Sequence, residues 1–204
     1  MHLGDGRFVG HVLADTIEWA CASVFSTESL VGTVAIADHL LRHHPEAFAA
    51  TAALVEDLPL PRAGLLRARH AMSFADPRSE SPKESMSRAL IHQLGFEVPE
   101  LQYRVVDANG HEVARADFQW KRTTVRSRAL LGEFDGLWKY GADLSGPNGG
   151  ADALEREKKR ELMLARLGYD VVRWIDSDLT DPPAFARLLT ENGVPLQESR
   201  APCG

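Results

Sequence analysis

The sequence predicts an α/β domain preceded by an all-helical segment. Apolar residues recur at helical spacing from His11 to about Phe74. Strand-like pieces then follow at residues 100–107, 112–120 and 128–134. Finally, a long helical stretch after residue 150 runs directly into the strand-like YDVVRWI. A chain of 204 residues, 44% hydrophobic and 25% charged, is long enough for one globular domain with a helical extension.

In the N-terminal part, Val31, Val34, Ala35 and Leu41 mark one helical face, and Phe48, Ala52 and Val55 the next. Ser26 or Thr27 suits a helix cap ahead of Ser29 and Leu30, and Pro45 opens another helix. LPLP at 58–61 separates the last of about four helices. His39, His43 and His44 have no carboxylate or cysteine support at ligand spacing, so they read as a surface helix end. The polar ADPRSESPKES, with two prolines, is the expected boundary between a helical segment, 1–78, and an α/β domain, 79–193.

Within that domain Ser81 is placed to cap a helix with Pro82 at its first position and Glu84 close behind. Met86, Ala89, Leu90 and Leu94 supply its buried face, and Gly95 ends it. The ANG at Ala108 to Gly110 is the turn of a hairpin joining the first two strands. LSGPNGG at 144–150 is a loop by composition. The long helix, with Leu154, Leu162 and Leu167 as its buried face, stops at Gly168. Asp181, ahead of Pro182 and Pro183, opens a last helix ending near Gly193, and residues 194–204 are expected to be a disordered tail.

A net charge of −6 argues against binding nucleic acid through bulk electrostatics. Two local basic clusters stand out: Arg62, Arg67, Arg69 with Arg78, and Lys121, Arg122, Arg126 with Arg128. Each reads as a solvated face unless a phosphate partner is shown. Cys21 and Cys203 have no metal-ligand spacing and support no disulfide framework, which fits a reducing cytoplasm. The first residues lack a secretory pattern, and no stretch approaches the length of a membrane span.

Chemistry concentrates in ARADFQW and LLGEFDG. Side chains alternate along a strand, so Glu133 and Asp135 project to one side and Phe134 to the other. Adjacent carboxylates repel unless a cation or hydrogen-bond donors compensate them. If the second and third strands pair antiparallel, Asp117 arrives beside them. Three such oxygen ligands suit Mg²⁺ or Mn²⁺, and phosphodiester hydrolysis is the matching chemistry. Lys139 is placed to stabilise transition-state charge or position the attacking water. The competing reading of EFDG is a strand end whose acids face solvent at the Asp135-Gly136 turn. In EREKKRE, opposite charges three and four apart suit ordinary helix-surface pairing, or else Lys158 or Lys159 meets a phosphate. Trp120, Trp138 and Trp174 suit either the core or stacking on bases.

SPKES, RADFQW, LLGEFDGLWKYG, EREKKRE and LGYDVVRW, in that order and covering about half the chain, resemble actinobacterial domain-of-unknown-function proteins related to the very-short-patch-repair endonucleases. The resemblance implies a PD-(D/E)XK core, a mixed central sheet flanked by helices. An acid of its first helix, an aspartate of its second strand and a glutamate of its third surround Mg²⁺ or Mn²⁺. Those roles fall on Glu84, Asp117 and Glu133, with Lys139 as a further catalytic residue. Asp135 stands where the family pattern has lysine. Either Asp135 joins the metal ligands and Lys139 or Lys158 supplies the positive charge, or catalysis is lost. The resemblance implies DNA as partner for a metal-dependent endonuclease. For an inactive, antitoxin-like module it implies DNA, a toxin or another protein. Relatives of this kind carry a helical, winged-helix-like segment in front, of which this chain matches only the end. Oligomeric state is open.

Overall fold

The structure, a computed structural model, describes residues 7–9, 12–14, 16–25, 27–57, 61–121, 123, 128–136 and 149–197, with backbone alone for 7–9, 12–14 and 149–154. Lys139, Trp138, Arg122, Arg126 and Cys203 lie outside the described residues. The chain divides into two compact units, Met1–Ala89 and Leu90–Gly204.

The first unit opens with β1 (Arg7–Val9) and β2 (Val12–Ala14), paired antiparallel. This corrects the expectation of helix from His11 onward. Val9 pairs with Val12 and Phe8 with Leu13, so each short apolar run finds its hydrogen-bonding partner in the other strand and not in a helical turn. Four helices follow: α1 (Ile17–Phe25), α2 (Leu30–His43), α3 (Pro45–Asp57) and α4 (Arg62–Phe74). Ser29, rather than Ser26 or Thr27, caps α2, its hydroxyl accepting the Gly32 N–H at 3.1 Å. Ala22, Phe25, Ala37, Val55 and Ala68 form one buried cluster of this unit.

A buried ion pair sits on α2 and on α5 (Pro82–Gln93). Arg88 donates to both oxygens of Asp38, at 2.8 and 2.9 Å, and to Phe74 O at 2.8 Å, while Asp38 also accepts the Asp76 N–H at 2.8 Å. The polar ADPRSESPKES linker is thereby pinned at its start. The expected cap of α5 forms: Ser81 Oγ accepts the Glu84 N–H at 3.2 Å and donates to Glu84 Oε1 at 2.9 Å. Gly95, at φ +84°, ends the helix in a Schellman arrangement, with Gly95 N–H on His92 O and Phe96 N–H on Ile91 O.

The second unit is α/β, a four-stranded mixed sheet flanked by helices. The strand order is β3 (Glu100–Val106), β4 (Glu112–Trp120), β5 (Ala129–Phe134) and β6 (Tyr169–Trp174). The first three run antiparallel as a meander, and β5 pairs parallel with β6. Parallel neighbours need a crossover, supplied by α6 (Gly149–Arg166). The five-residue β3–β4 connection, 107–111, is closed by the Asp107 N–H on His111 O; its Gly110 takes φ +83°, and Asp107 Oδ1 accepts the Asn109 and His111 N–H groups.

α6 covers one face of the sheet through Leu164, which packs with Val105, Ala116 and Leu131. Leu162, expected on that face, is 53% exposed. Met163, Leu164 and Leu167 form the inward stripe, and Leu162 falls outside its arc. α7 (Asp176–Thr180), not anticipated, precedes α8 (Pro182–Glu191). Asp181 caps α8 on the Ala184 N–H at 3.0 Å, and Phe185 packs on Trp174 on the sheet's other face, ring centroids 5.4 Å apart. Gly132 admits this packing, since a Cβ there would lie 2.7 Å from Trp174 and 3.0 Å from Trp120.

The expected disordered tail from 194 is ordered as far as Gln197. Glu97 N–H donates to Pro195 O at 2.7 Å and Gln197 N–H to Gly95 O at 2.9 Å, so the segment closes on the α5–β3 connection. Among the described residues no helix is long and apolar enough to cross a membrane.

Candidate functional site

Registers of the sheet place a polar row across all four strands. Leu101↔Phe118 and Tyr103↔Ala116 bracket Gln102 and Asp117; Phe118↔Gly132 is the last β4–β5 pair before Glu133; and Glu133 pairs with Arg173. Regular alternation fails at this row. Ala116 packs with Leu131 and Leu164 under α6, whereas Phe118, two residues on, packs on Trp174 with ring centroids 5.2 Å apart. Gln102 has φ +53°, a left-handed conformation that costs a non-glycine residue about 1–3 kcal/mol. It is the point at which the β3–β4 ladder changes face.

Asp117 stands where β4 and β5 part. Its Oδ2 accepts the Phe134 N–H at 3.0 Å, so a side chain replaces the ladder partner of the amide just after Glu133. Asp117 thus bonds the backbone one residue beyond Glu133, on the neighbouring strand. Asp135 lies half-buried one residue beyond, its N–H bonded to Trp174 O at 2.8 Å. Glu84 is buried in the first unit as the α5 cap, its Oε2 also accepting the Glu80 N–H at 2.8 Å. Lys139 lies outside the described residues.

Glu133 is held by two guanidinium groups. Arg160 of α6 donates from Nη1 to Oε2 at 3.1 Å and from Nη2 to Oε1; Arg173 of β6 donates from Nε to Oε2 at 3.0 Å. Arg173 also pairs with Glu157 and Glu161, and Arg160 lies 3.5 Å from Glu157. Burial pushes the Glu133 carboxyl up, but the hydrogen bonds and charge of Arg160, joined by Arg173, outweigh it and hold the group below the usual carboxylate range. Hydrogen bonding to Glu133 raises Arg160. The carboxylate therefore stays ionised inside a network of two cations and three anions.

This arrangement does not fit a divalent ion. Both oxygens of Glu133 are committed to N–H donors, and an added ion would face two guanidinium charges at close range. Among the described residues no three His, Cys, Asp or Glu side chains are grouped closely enough to hold a metal. Sequence reasoning looked to Lys158 and Lys159 of EREKKRE. Both are exposed, with Lys159 paired to Glu155 at 2.7 Å, and the residue of α6 that reaches the sheet is Arg160. Its signal was available: Arg160 lies four residues before Leu164, on the same helical stripe.

Other candidates find structural roles. Trp120 and Trp174 are buried, and Trp120 Nε1–H donates to Glu97 O at 2.7 Å. In the first basic cluster Arg69 pairs with Glu56 and Arg78 with Asp76. In the second, Lys121 lies 3.8 Å from Glu100, and Arg128 lies 3.2 Å from Asp170.

No family model matches the chain, and no solved structure matches it significantly. Among curated proteins it is similar to the uncharacterised proteins MT2308 and Rv2248 of Mycobacterium tuberculosis, strains CDC 1551 / Oshkosh and ATCC 25618 / H37Rv. With each it is 32% identical over 123 residues, 60% of this chain and 40% of the relative. The chain spans less than half the length of these relatives.

Proposed function

We propose that Leu90–Gly204 is a PD-(D/E)XK-type module that binds duplex DNA without cutting it. Within it the meander β3–β4–β5, the crossover α6 and the strand β6 follow one another in the order that such a core has, which supports the fold. The observation that carries the function is the double guanidinium clamp on Glu133. It supplies from within the chain the compensating charge that a catalytic site would draw from an ion. DNA is favoured as ligand by the basic residues of the β4–β5 connection, Lys121, Arg122, Arg126 and Arg128, and by exposed Lys158.

Duplex binding measured by fluorescence anisotropy with chelator present tests this. Affinity is expected to fall steeply between 50 and 200 mM salt and to be unchanged in Asp117→Ala, with no cleavage in Mn²⁺. Absence of salt-sensitive binding would overturn it and turn attention to a protein partner such as a toxin.

A second reading, a metal-dependent endonuclease using Mg²⁺ or Mn²⁺, draws on one specific observation. Asp117 accepts the amide next after Glu133, in the row that holds the strained Gln102. It requires Glu133 to exchange its arginines for a metal, with Asp135 as a further ligand and Lys139 or Lys158 supplying the positive charge. Cleavage in Mn²⁺ that disappears in both Asp117→Ala and Glu133→Ala would establish it in place of the first.

A further inference from the structure

The end of α2 carries a feature unrelated to the sheet. His39 and His43 are four residues apart on one exposed helical face, their ring centroids 4.7 Å apart and their planes inclined at 44°. His44 follows, its ring 6.2 Å from that of His39. A transition-metal ion bound to imidazole nitrogen at about 2.0–2.1 Å lies about 3.2 Å from each ring centre, so two neighbouring ligands have centroids about 4.5–5.2 Å apart. The observed 4.7 Å falls in that interval.

The surroundings suit a cation. These histidines occupy the C-terminal turn of α2, the negative end of the helix dipole. Arg42, between them in sequence, has its guanidinium engaged elsewhere, Nη1 donating to Pro77 O and Ser79 O at 3.2 and 3.3 Å and Nη2 lying 3.6 Å from Glu80, though its charge still reaches His43. The His44 N–H on Leu40 O at 2.7 Å closes the turn and fixes the backbone that carries both rings. Among the described residues no third ligand of suitable type completes a set, so solvent would fill the other positions.

We propose that His39 and His43 form a two-histidine chelate for a first-row transition-metal ion. Imidazole pairs select Cu²⁺, Ni²⁺ or Zn²⁺ over Mg²⁺ and Mn²⁺, so the site is distinct in chemistry from any carboxylate centre. It uses two protein ligands and keeps open positions, which makes it an exchangeable site and not a structural one.

The test is calorimetric titration of the full chain with Ni²⁺. Wild type and His44→Ala are each expected to bind one ion per chain at this site. His39→Ala and His43→Ala are expected to weaken that binding by more than about tenfold, the loss that even an outer-shell defect costs a metal site. The melting temperature is expected to rise with Ni²⁺ in wild type and not in the two variants. Circular dichroism of each variant checks that its helices are kept. Binding of wild-type strength in His39→Ala with His43→Ala, or none in wild type, would overturn the proposal.

Discussion

Replacing Glu133 by glutamine tests the guanidinium clamp directly. The substitution keeps the shape of the side chain and removes its charge, leaving Arg160 and Arg173 with Glu157 and Glu161 alone. Breaking a fully buried ion pair costs about 3–5 kcal/mol. Glu133 is 14% exposed, but Arg160 and Arg173 are 29% and 24% exposed and retain other carboxylates. Solvent and those partners reduce the cost to about 1–3 kcal/mol. The pH dependence has a definite sign. The folded-state pKa of Glu133 is depressed, so its stabilisation is fully present above the unfolded value of about 4.3 and is lost as pH falls through the lower folded value. Urea unfolding, followed by near-ultraviolet circular dichroism and by fluorescence of the buried Trp120 and Trp174, is expected to show Glu133→Gln less stable at pH 7. The gap to wild type should close below about pH 4. Equal stability at pH 7, or a gap of the same size at pH 3, would refute the reasoning.

Two further outcomes concern packing. Arg88→Met leaves the Asp38 carboxylate, 1% exposed, without its ion-pair partner, and is expected to cost about 3–5 kcal/mol in urea unfolding; adding Asp38→Leu should recover most of it. Gly132→Ala places a methyl group 2.7 Å from the Trp174 ring and is expected to lower stability by about 1–3 kcal/mol, read as a fall in melting temperature with a changed near-ultraviolet signal.

Much of the fold was legible because its signals are local. Ser81 with Glu84, Gly95, the ANG turn, Gly168 and Asp181 each act through bonds or backbone angles within a few residues, and each forms where expected. The misreadings share a cause. Val12 to Ala14 form a strand because a hairpin partner lies just upstream, Leu162 faces outward because the sheet meets a different arc of α6, and Pro195 to Gln197 are held by the α5–β3 connection. Periodicity cannot show which neighbour an element will meet.

The candidate site divides along the same line. The sequence by itself determined that Asp117 and Glu133 lie on adjacent strands, because strand spacing and turn chemistry are properties of short segments. Only the tertiary structure decided what faces Glu133. Arg160 comes from a helix and Arg173 from a strand, 27 and 40 residues away in the chain; the parallel β5–β6 register sets Arg173 opposite Glu133, and the packing of α6 on the sheet brings Arg160. A carboxylate's chemistry depends on the charges within a few ångströms of it, and those are set by packing between elements that no single segment encodes.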